Sequence, residues 1–406
     1  MDRKLKARAY QVAEELREEI CAISRSVYDT PELGLEERQS SAYLCRVLER
    51  HGFPVERGLG GMETAFRGRI AGGRGEGPRV ALLAEYDALP GIGHGCGHNF
   101  IAAASMGAAL VCKRLEPAFP GTVELVGTPA EETIGGKVNL LQAGAFAGVD
   151  GALMVHPSYE TRVNTTSLAA FPFTLVFHGK AAHAAVTPEA GVNALDALIQ
   201  VFLRLDQMKK HLRPDVRMPG IITDGGKAPN VVPDRAEGRF SVRAQDQPYL
   251  EEVKAKVLRA IEGIALATGC TYEVLTPENQ YADTITNEPM AEVFKEVLDE
   301  MGAEVITTPR EKMGSLDIGN LSYHFPVIHP MIAICDAGTA PHTREFGERT
   351  LTDRGRDALL LAVKALACTT LAVATDPDLR ERMRTHFAAR VPDAVPAPDP
   401  AGSGRA

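Results

Sequence analysis

The 406 residues, 45% of them hydrophobic and 24% charged, make a chain long enough for two or three domains of about 150 residues and exclude a disordered or fibrous protein. A net charge of −9, without any block of lysine and arginine, speaks against a nucleic-acid partner. No run of about 18 apolar residues occurs, so no membrane span is expected.

The opening stretch MDRKLKARAYQVAEELREEI lacks the apolar centre of a secretory signal, and the seven cysteines are odd in number and scattered; reduced thiols and a cytoplasmic location are expected. Residues 3–27 carry apolar side chains at helical spacing, TPELGLEE breaks the pattern, and 38–51 form a second predicted helix. RVALLAEYD, bounded by glycines before and DALPGIG after, has the pattern of a buried strand delivering a loop. NFIAAASMGAALVCKRL follows as a helix with small residues that permit close packing, and GTVELVGTPAEE as another buried strand running into a loop. Strand, loop, helix and strand predict an α/β domain whose ligands gather beyond the carboxyl ends of its strands.

Further on, FPFTLVFHG and DRAEGRFSVRA read as strands, GVNALDALIQVFLRLDQM and YLEEVKAKVLRAIEGIALATG as helices, and TYEVL as a closing strand. With one further strand not located among them, the order is read as β-α-β-β-α-β, that of a ferredoxin-like α+β module. Residues 167–282 are therefore expected to form an inserted domain, leaving 1–166 and 283–388 as a discontinuous first domain. NEPMAEVFKEVLDEMG, apolar runs at 326–335 and a helix at 352–372 resume the α/β texture, and 389–406 read as a disordered tail rich in Pro, Ala and Gly.

The chemistry concentrates in four places. AEYDALPGIGHGCGHN sets Cys96 and His98 one glycine apart, a thiolate and an imidazole that suit zinc and other first-row divalent ions. TPAEE puts Glu131 and Glu132 directly after a buried strand, where one carboxylate can bind metal while the other acts as general base. GALMVHP reads as a strand ending in His156, and DAGTAPHTREF offers His342 from a loop. A nucleophilic Cys96 beside His94 and His98 is the competing chemistry, though it leaves Glu131 and Glu132 without a task.

Taken together, TPELGLEE, CGHN, TPAEE, VHP, GKAAHAAVTPEAGVNALDA, PNVVPDRAEGRFSVRA, MGSLDIGNLSY and PHTREF resemble the M20 metallopeptidase and amidohydrolase family in order and spacing over nearly the whole chain. EYDALPGIGHGCGHN and PHTREF look most like its aminobenzoyl-glutamate hydrolase and M20-domain-containing dipeptidase subgroup. The resemblance implies a zinc-peptidase-like catalytic domain, a mixed sheet flanked by helices, with the inserted module as lid and dimerisation domain. It implies two divalent ions per subunit, zinc or manganese, on Cys96, His98, Glu132, His156 and His342. Glu131 matches the general base that takes a proton from metal-bound water, and Asp87 an acid that orients a ligand imidazole. His183 and Asn230 match residues that hydrogen-bond the substrate carbonyl, the histidine reaching across to a partner subunit in a homodimer, with a closing hinge near 166 and 282. Gly314, Ser315 and Asp317 resemble another active-site loop.

The chain departs from parts of the family. Glu85 stands where branches with a His-x-Asp motif carry a ligand histidine, and Asn99 where a related branch has Asp after CGH. The expected activity is hydrolysis of the amide bond of an N-acyl or aryl-amide amino acid or a dipeptide. Removal of an amine from an aromatic ring by the same site is the alternative, and a non-catalytic scaffold is disfavoured by the complete set of ligand positions. Arg243 and Lys227 are basic residues that could meet a substrate carboxylate or serve at a surface or interface.

Overall fold

The computed structural model describes residues 1–308 and 314–391. The chain divides into two compact units, one starting at Met1–Thr166 and resuming at Thr284, the other comprising Ser167–Asp283 and a short piece that ends at Gly319. In the first unit the strands are β1 (Val55–Arg57), β2 (Phe66–Ala71), β3 (Arg79–Ala84), β4 (Thr122–Gly127), β5 (Gly151–Leu153) and β6 (His156–Ser158). The second unit contributes β7 (Ala169–His178), β8 (Gly220–Asp224), β9 (Arg235–Ala244) and β10 (Thr271–Leu275), after which β11 (Val327–Ile328) and β12 (Met331–Ala333) return to the first.

The main sheet of the first unit runs β1-β2-β4-β3-β5-β11. β3, β4, β5 and β11 are parallel, and β2 and β1 continue antiparallel at one side. β3 is buried from Val80 to Ala84 because a parallel strand has both faces covered, which is why RVALLA reads as an unbroken apolar run. The helix His98–Arg114 is buried over His98–Cys112. Its small residues matter most at Gly107, where a Cβ would stand 2.7 Å from Val363 Cγ2 and 3.1 Å from Ile20 Cδ1. Val363 belongs to the helix Asp353–Thr375, which is long and apolar enough to cross a membrane, but 83% of its apolar window is buried in this unit.

Several elements differ from the sequence reading. The helix expected over 3–27 is interrupted at Leu16, giving Arg3–Glu15 and Arg17–Tyr28; hydrogen bonding carries across the break, with the Ile20 N–H donating to Leu16 O at 2.9 Å. GALMVHP is not one strand: β5 stays in the main sheet, and His156 opens β6, which pairs with β12 in a separate ladder. At the carboxyl end, residues 389 and 390 are not part of a tail but close the helix Pro377–Arg390. Asp376 caps that helix, and Leu379 and Met383 carry its inner face into the core. The rest of the expected tail, from 392, lies outside the described residues.

The second unit is a four-stranded antiparallel sheet in the order β10-β7-β9-β8, the ferredoxin-like arrangement, with β8 as an edge strand that the sequence reading did not single out. Helices Ala194–Met208 and Gln247–Thr268 pack on it. The alternate residues Ala236, Phe240, Val242 and Ala244 of β9 point into this core, and Phe173 stacks on both Phe171 and Phe240 with ring centroids 5.1 Å apart.

Candidate metal centre

Parallel strands deliver the functional side chains. β3 ends at Ala84 and hands over Glu85, Tyr86 and Asp87; β4 ends at Gly127 and hands over Thr128 to Glu132. Gly97, at φ 84°, lies in the left-handed region and starts the helix on His98; a Cβ there would stand 2.6 Å from Pro157 Cγ. Three described residues other than glycine adopt the same backbone: Leu35 at φ 71°, Ala130 at φ 62° and His342 at φ 63°. Such a conformation costs an L-residue about 1–2 kcal/mol, so its neighbours must hold it. His342 is held by its own N–H, which donates to Gly95 O at 2.9 Å and ties the last loop to the first.

Six of the sequence-predicted residues meet. Cys96, His98 and His156 form one group, Cys96, Glu132 and His342 a second, and His98, Glu131 and Glu132 a third, each with its ligand atoms within 4.8 Å of one another. Cys96 Sγ is 3.5 Å from His156 Nε2. Glu132 Oε1 lies 3.7 Å from His98 Nε2 and 3.4 Å from His342 Nε2.

Hydrogen bonds on the far side of each ring aim the imidazoles. Nδ1 of His98 lies 2.8 Å from Asp87 Oδ1, and Nδ1 of His156 lies 2.7 Å from Pro157 O; with Nδ1 donating in both, Nε2 is the atom each ring turns to the site. Asp87 uses its second oxygen as well, accepting the Glu132 backbone N–H at 2.9 Å. One buried carboxylate therefore positions a predicted ligand from β3's loop and another from β4's.

These donors suit a divalent cation. His98 Nε2 and Glu132 Oε1 are both buried and have no hydrogen-bond partner. Leaving such groups unsatisfied costs about 1–3 kcal/mol each, and an ion held between them would satisfy both. Burial lowers the proton affinity of His98, but the surrounding negative groups, Asp87 first, outweigh it and hold its pKa well above the usual value. Burial lowers that of His156, and the facing His98 adds to the effect. Burial also pushes the Cys96 thiol up, so without an ion the sulfur is protonated, which disfavours the free-nucleophile alternative.

Three participants were not legible in the sequence. Lys137, fully buried, donates to Glu85 Oε1 at 2.5 Å, while Glu85 Oε2 faces His98 Nε2 at 3.4 Å. Burial would raise the Glu85 carboxyl, but the Lys137 ammonium holds it below the usual carboxylate range. Glu85, unexplained from sequence, is thus half of a buried ion pair under the site. His329 is buried with its ring 5.6 Å from that of His156 and is kept neutral, its pKa lowered to about 3 by burial. Glu37, also fully buried, accepts the Ala130 N–H at 2.8 Å. A histidine inside the apolar run VIHPM was a signal for His329, and Glu37 stands in the TPELGLEE motif, but neither Lys137 nor Glu37 could be given a task, since their partners lie 52 and 93 residues away.

The remaining predicted residues lie elsewhere. His94 is buried near Tyr28 and belongs to none of the three groups. His183 and Asn230 lie in the second unit on adjacent segments, where Ala184 N–H donates to Asn230 O at 3.0 Å, and both are exposed. Lys227 is exposed there, and Arg243 is half-buried in β9. Gly314, Ser315 and Asp317 form the second unit's short piece, joined to it by the Leu168 N–H to Gly314 O bond of 2.8 Å, with Asp317 buried.

Residues 81–366 match peptidase family M20/M25/M40. The chain belongs to this family. Among its relatives, the Xaa-Arg dipeptidase of Mus musculus is 36% identical over 94% of this chain and 92% of its own length. One of the subunits of p-aminobenzoyl-glutamate hydrolase from Escherichia coli K12 is 30% identical over 89% and 90%. Among solved structures, a dinuclear metal-binding M20 peptidase from Bacillus subtilis superposes with a TM-score of 0.62 at 21% identity, over 87% of this chain and 99% of that one. As an M20 protein the chain is a metallopeptidase or amidohydrolase, a hydrolase of C–N bonds on an α/β catalytic fold.

Proposed function

We propose that this M20 hydrolase cleaves the amide bond of an N-acyl or aryl-amide amino acid or of a dipeptide. The observation that carries the reading is the adjacency of Glu131 and Glu132 after β4, with Glu132 inside the ligand set and Glu131 Oε2 4.0 Å from His98 Nε2. The names of the dipeptidase and the p-aminobenzoyl-glutamate hydrolase relatives each describe an amide made to an amino acid.

In this reading Cys96, His98, Glu132, His156 and His342 hold zinc or manganese, which supplies Lewis acidity toward the carbonyl and the attacking water. Glu131 takes the proton as water attacks the carbonyl carbon and delivers it to the amide nitrogen as the C–N bond breaks. Asp87 keeps the His98 ring in the required tautomer. Charge supports two ions per subunit: Glu85, Asp87, Cys96, Glu131 and Glu132 each carry one negative charge when ionised, Lys137 offsets one, and two divalent cations neutralise the rest.

We infer that His183 and Asn230 hydrogen-bond the substrate carbonyl oxygen and that the second unit acts as lid and dimerisation domain, His183 serving the partner subunit's site. Exposed apolar residues on that unit support pairing with another copy of this chain: Ile199 and Leu203 on one helix, Ile221 and Ile222 on the edge strand β8.

The test is a panel of dipeptides, N-acyl amino acids and aryl amides offered to protein loaded with zinc or manganese. We expect release of an amino acid, loss of activity on chelation, and a fall in kcat of about 10²–10⁴-fold in Glu131→Gln with an unchanged circular dichroism spectrum. Turnover that survives Glu131→Gln sinks the mechanism. Ammonia as product from an aromatic amine would move the reading to a deaminase, and failure to retain any ion would move it to a scaffold.

A further inference from the structure

The loop after β4 is fastened at alternate residues. Thr128 N–H donates to Ala84 O at 2.8 Å, Ala130 N–H to Glu37 Oε1 at 2.8 Å, and Glu132 N–H to Asp87 Oδ2 at 2.9 Å; Pro129 between them has no N–H. The middle fastening is the unusual one, because it joins a fully buried carboxylate to the one residue other than glycine in this loop that adopts the left-handed backbone region. Glu37 is itself held: its Oε2 accepts the Thr64 hydroxyl at 2.9 Å, and Thr64 O accepts the Tyr86 hydroxyl at 2.7 Å. Gly34, three residues earlier, allows this segment to lie close, for a Cβ there would stand 3.0 Å from Ala130 Cα. On the far side Ala130 O accepts the Gly135 N–H at 3.0 Å.

A left-handed alanine reverts to ordinary backbone if released, and the change of φ would swing the two side chains that follow it. We propose that Glu37 is a positioning residue for the metal centre: by accepting the Ala130 N–H it locks Ala130 in the left-handed conformation that aims Glu131 and Glu132. The inference rests on the reading of Glu131 as base and Glu132 as ligand. It adds a residue from the TPELGLEE segment, far from the site in sequence, to the machinery of that reaction.

The experiment compares wild type, Glu37→Gln, Glu37→Leu and the double variant Glu37→Leu/Ala130→Gly. Three quantities are read: amide hydrogen exchange over residues 128–134, affinity of metal-stripped protein for zinc, and the split between kcat and KM on a hydrolysed amide. Glu37→Leu is expected to speed exchange over that loop, weaken zinc binding by about 10-fold or more and lower kcat with little change in KM. Glu37→Gln keeps an acceptor oxygen and stays within about 3-fold of wild type. Glycine adopts the left-handed region without penalty, so the double variant recovers part of the lost zinc affinity and kcat even though it contains no acceptor.

Unchanged exchange and zinc affinity in Glu37→Leu overturn the proposal. So does a double variant no better than Glu37→Leu, because a purely structural role for Glu37 would not be relieved by changing Ala130. If Glu37→Leu fails to fold, a Glu37→Gln protein whose zinc affinity falls by about 10-fold or more would equally overturn it. Turnover retained in Glu131→Gln would instead strike the reading of the base, and exchange and zinc affinity would still decide the role of Glu37.

Discussion

Asp87 accepts two hydrogen bonds with two oxygens, from His98 Nδ1 on one side and the Glu132 backbone on the other. In Asp87→Asn the amide has only one acceptor oxygen, so either the imidazole or the loop must lose its support. Affinity for zinc, read by competition with a chromophoric chelator, is expected to fall about 10–100-fold while the folded protein persists. An unchanged affinity would show that the two bonds are incidental. At this scale the sequence was informative wherever residues met through local spacing. Cys96 and His98 share a turn, and Glu131 and Glu132 follow a strand, so their types and positions carry the signal. Lys137 was silent because a lysine at the start of the helix Gly136–Gln142 looks like any solvated residue until Glu85 is seen facing it.

The helix His98–Arg114 depends on closeness of approach, since Ile20 and Val363 press on Gly107 from two neighbouring helices. Gly107→Ala should gain about 1 kcal/mol in helix propensity, yet the added methyl must push aside two buried β-branched side chains that rotate little. Overpacking of this kind costs about 1–3 kcal/mol, so the balance favours destabilisation. A lower thermal midpoint is expected; a higher one would mean that the packing yields easily. Elements with one strong period or one unbroken apolar run were readable: this helix from its small residues, β3 and β4 from their covered faces. GALMVHP misled because continuity of apolar residues says nothing about which sheet each half joins. The chain leaves the main sheet between Leu153 and His156, and the His156 N–H turns to Pro330 O at 2.9 Å.

For the molecule as a whole, the edge strand β8 presents an open hydrogen-bonding ladder beside Ile221 and Ile222, exposed by 62% and 46%. A second copy pairing there would cover both the ladder and the apolar side chains. Light scattering on the wild type is expected to give a dimer, and Ile221→Lys together with Leu203→Glu a monomer. A wild type that stays monomeric at micromolar concentration would count against the pairing. The sequence disclosed the ferredoxin-like module through its order of strands and helices. β8 escaped notice because GIITD is short and lies at an edge, where only one side is paired and alternation is weak.

The predicted ligands are spread unevenly along the gene product. Cys96, His98, Glu132 and His156 are made early, whereas His342 comes 186 residues after His156 (342 less 156), beyond the whole second unit. At a synthesis rate of about 5–20 residues per second, the early four wait roughly 10–40 seconds for the fifth. The bond from the His342 N–H to Gly95 O consequently forms only after the second unit has been made, and β12, whose pairing with β6 places His156, is made in the same late stretch. A finished centre therefore waits for the late stretch that carries both β12 and His342.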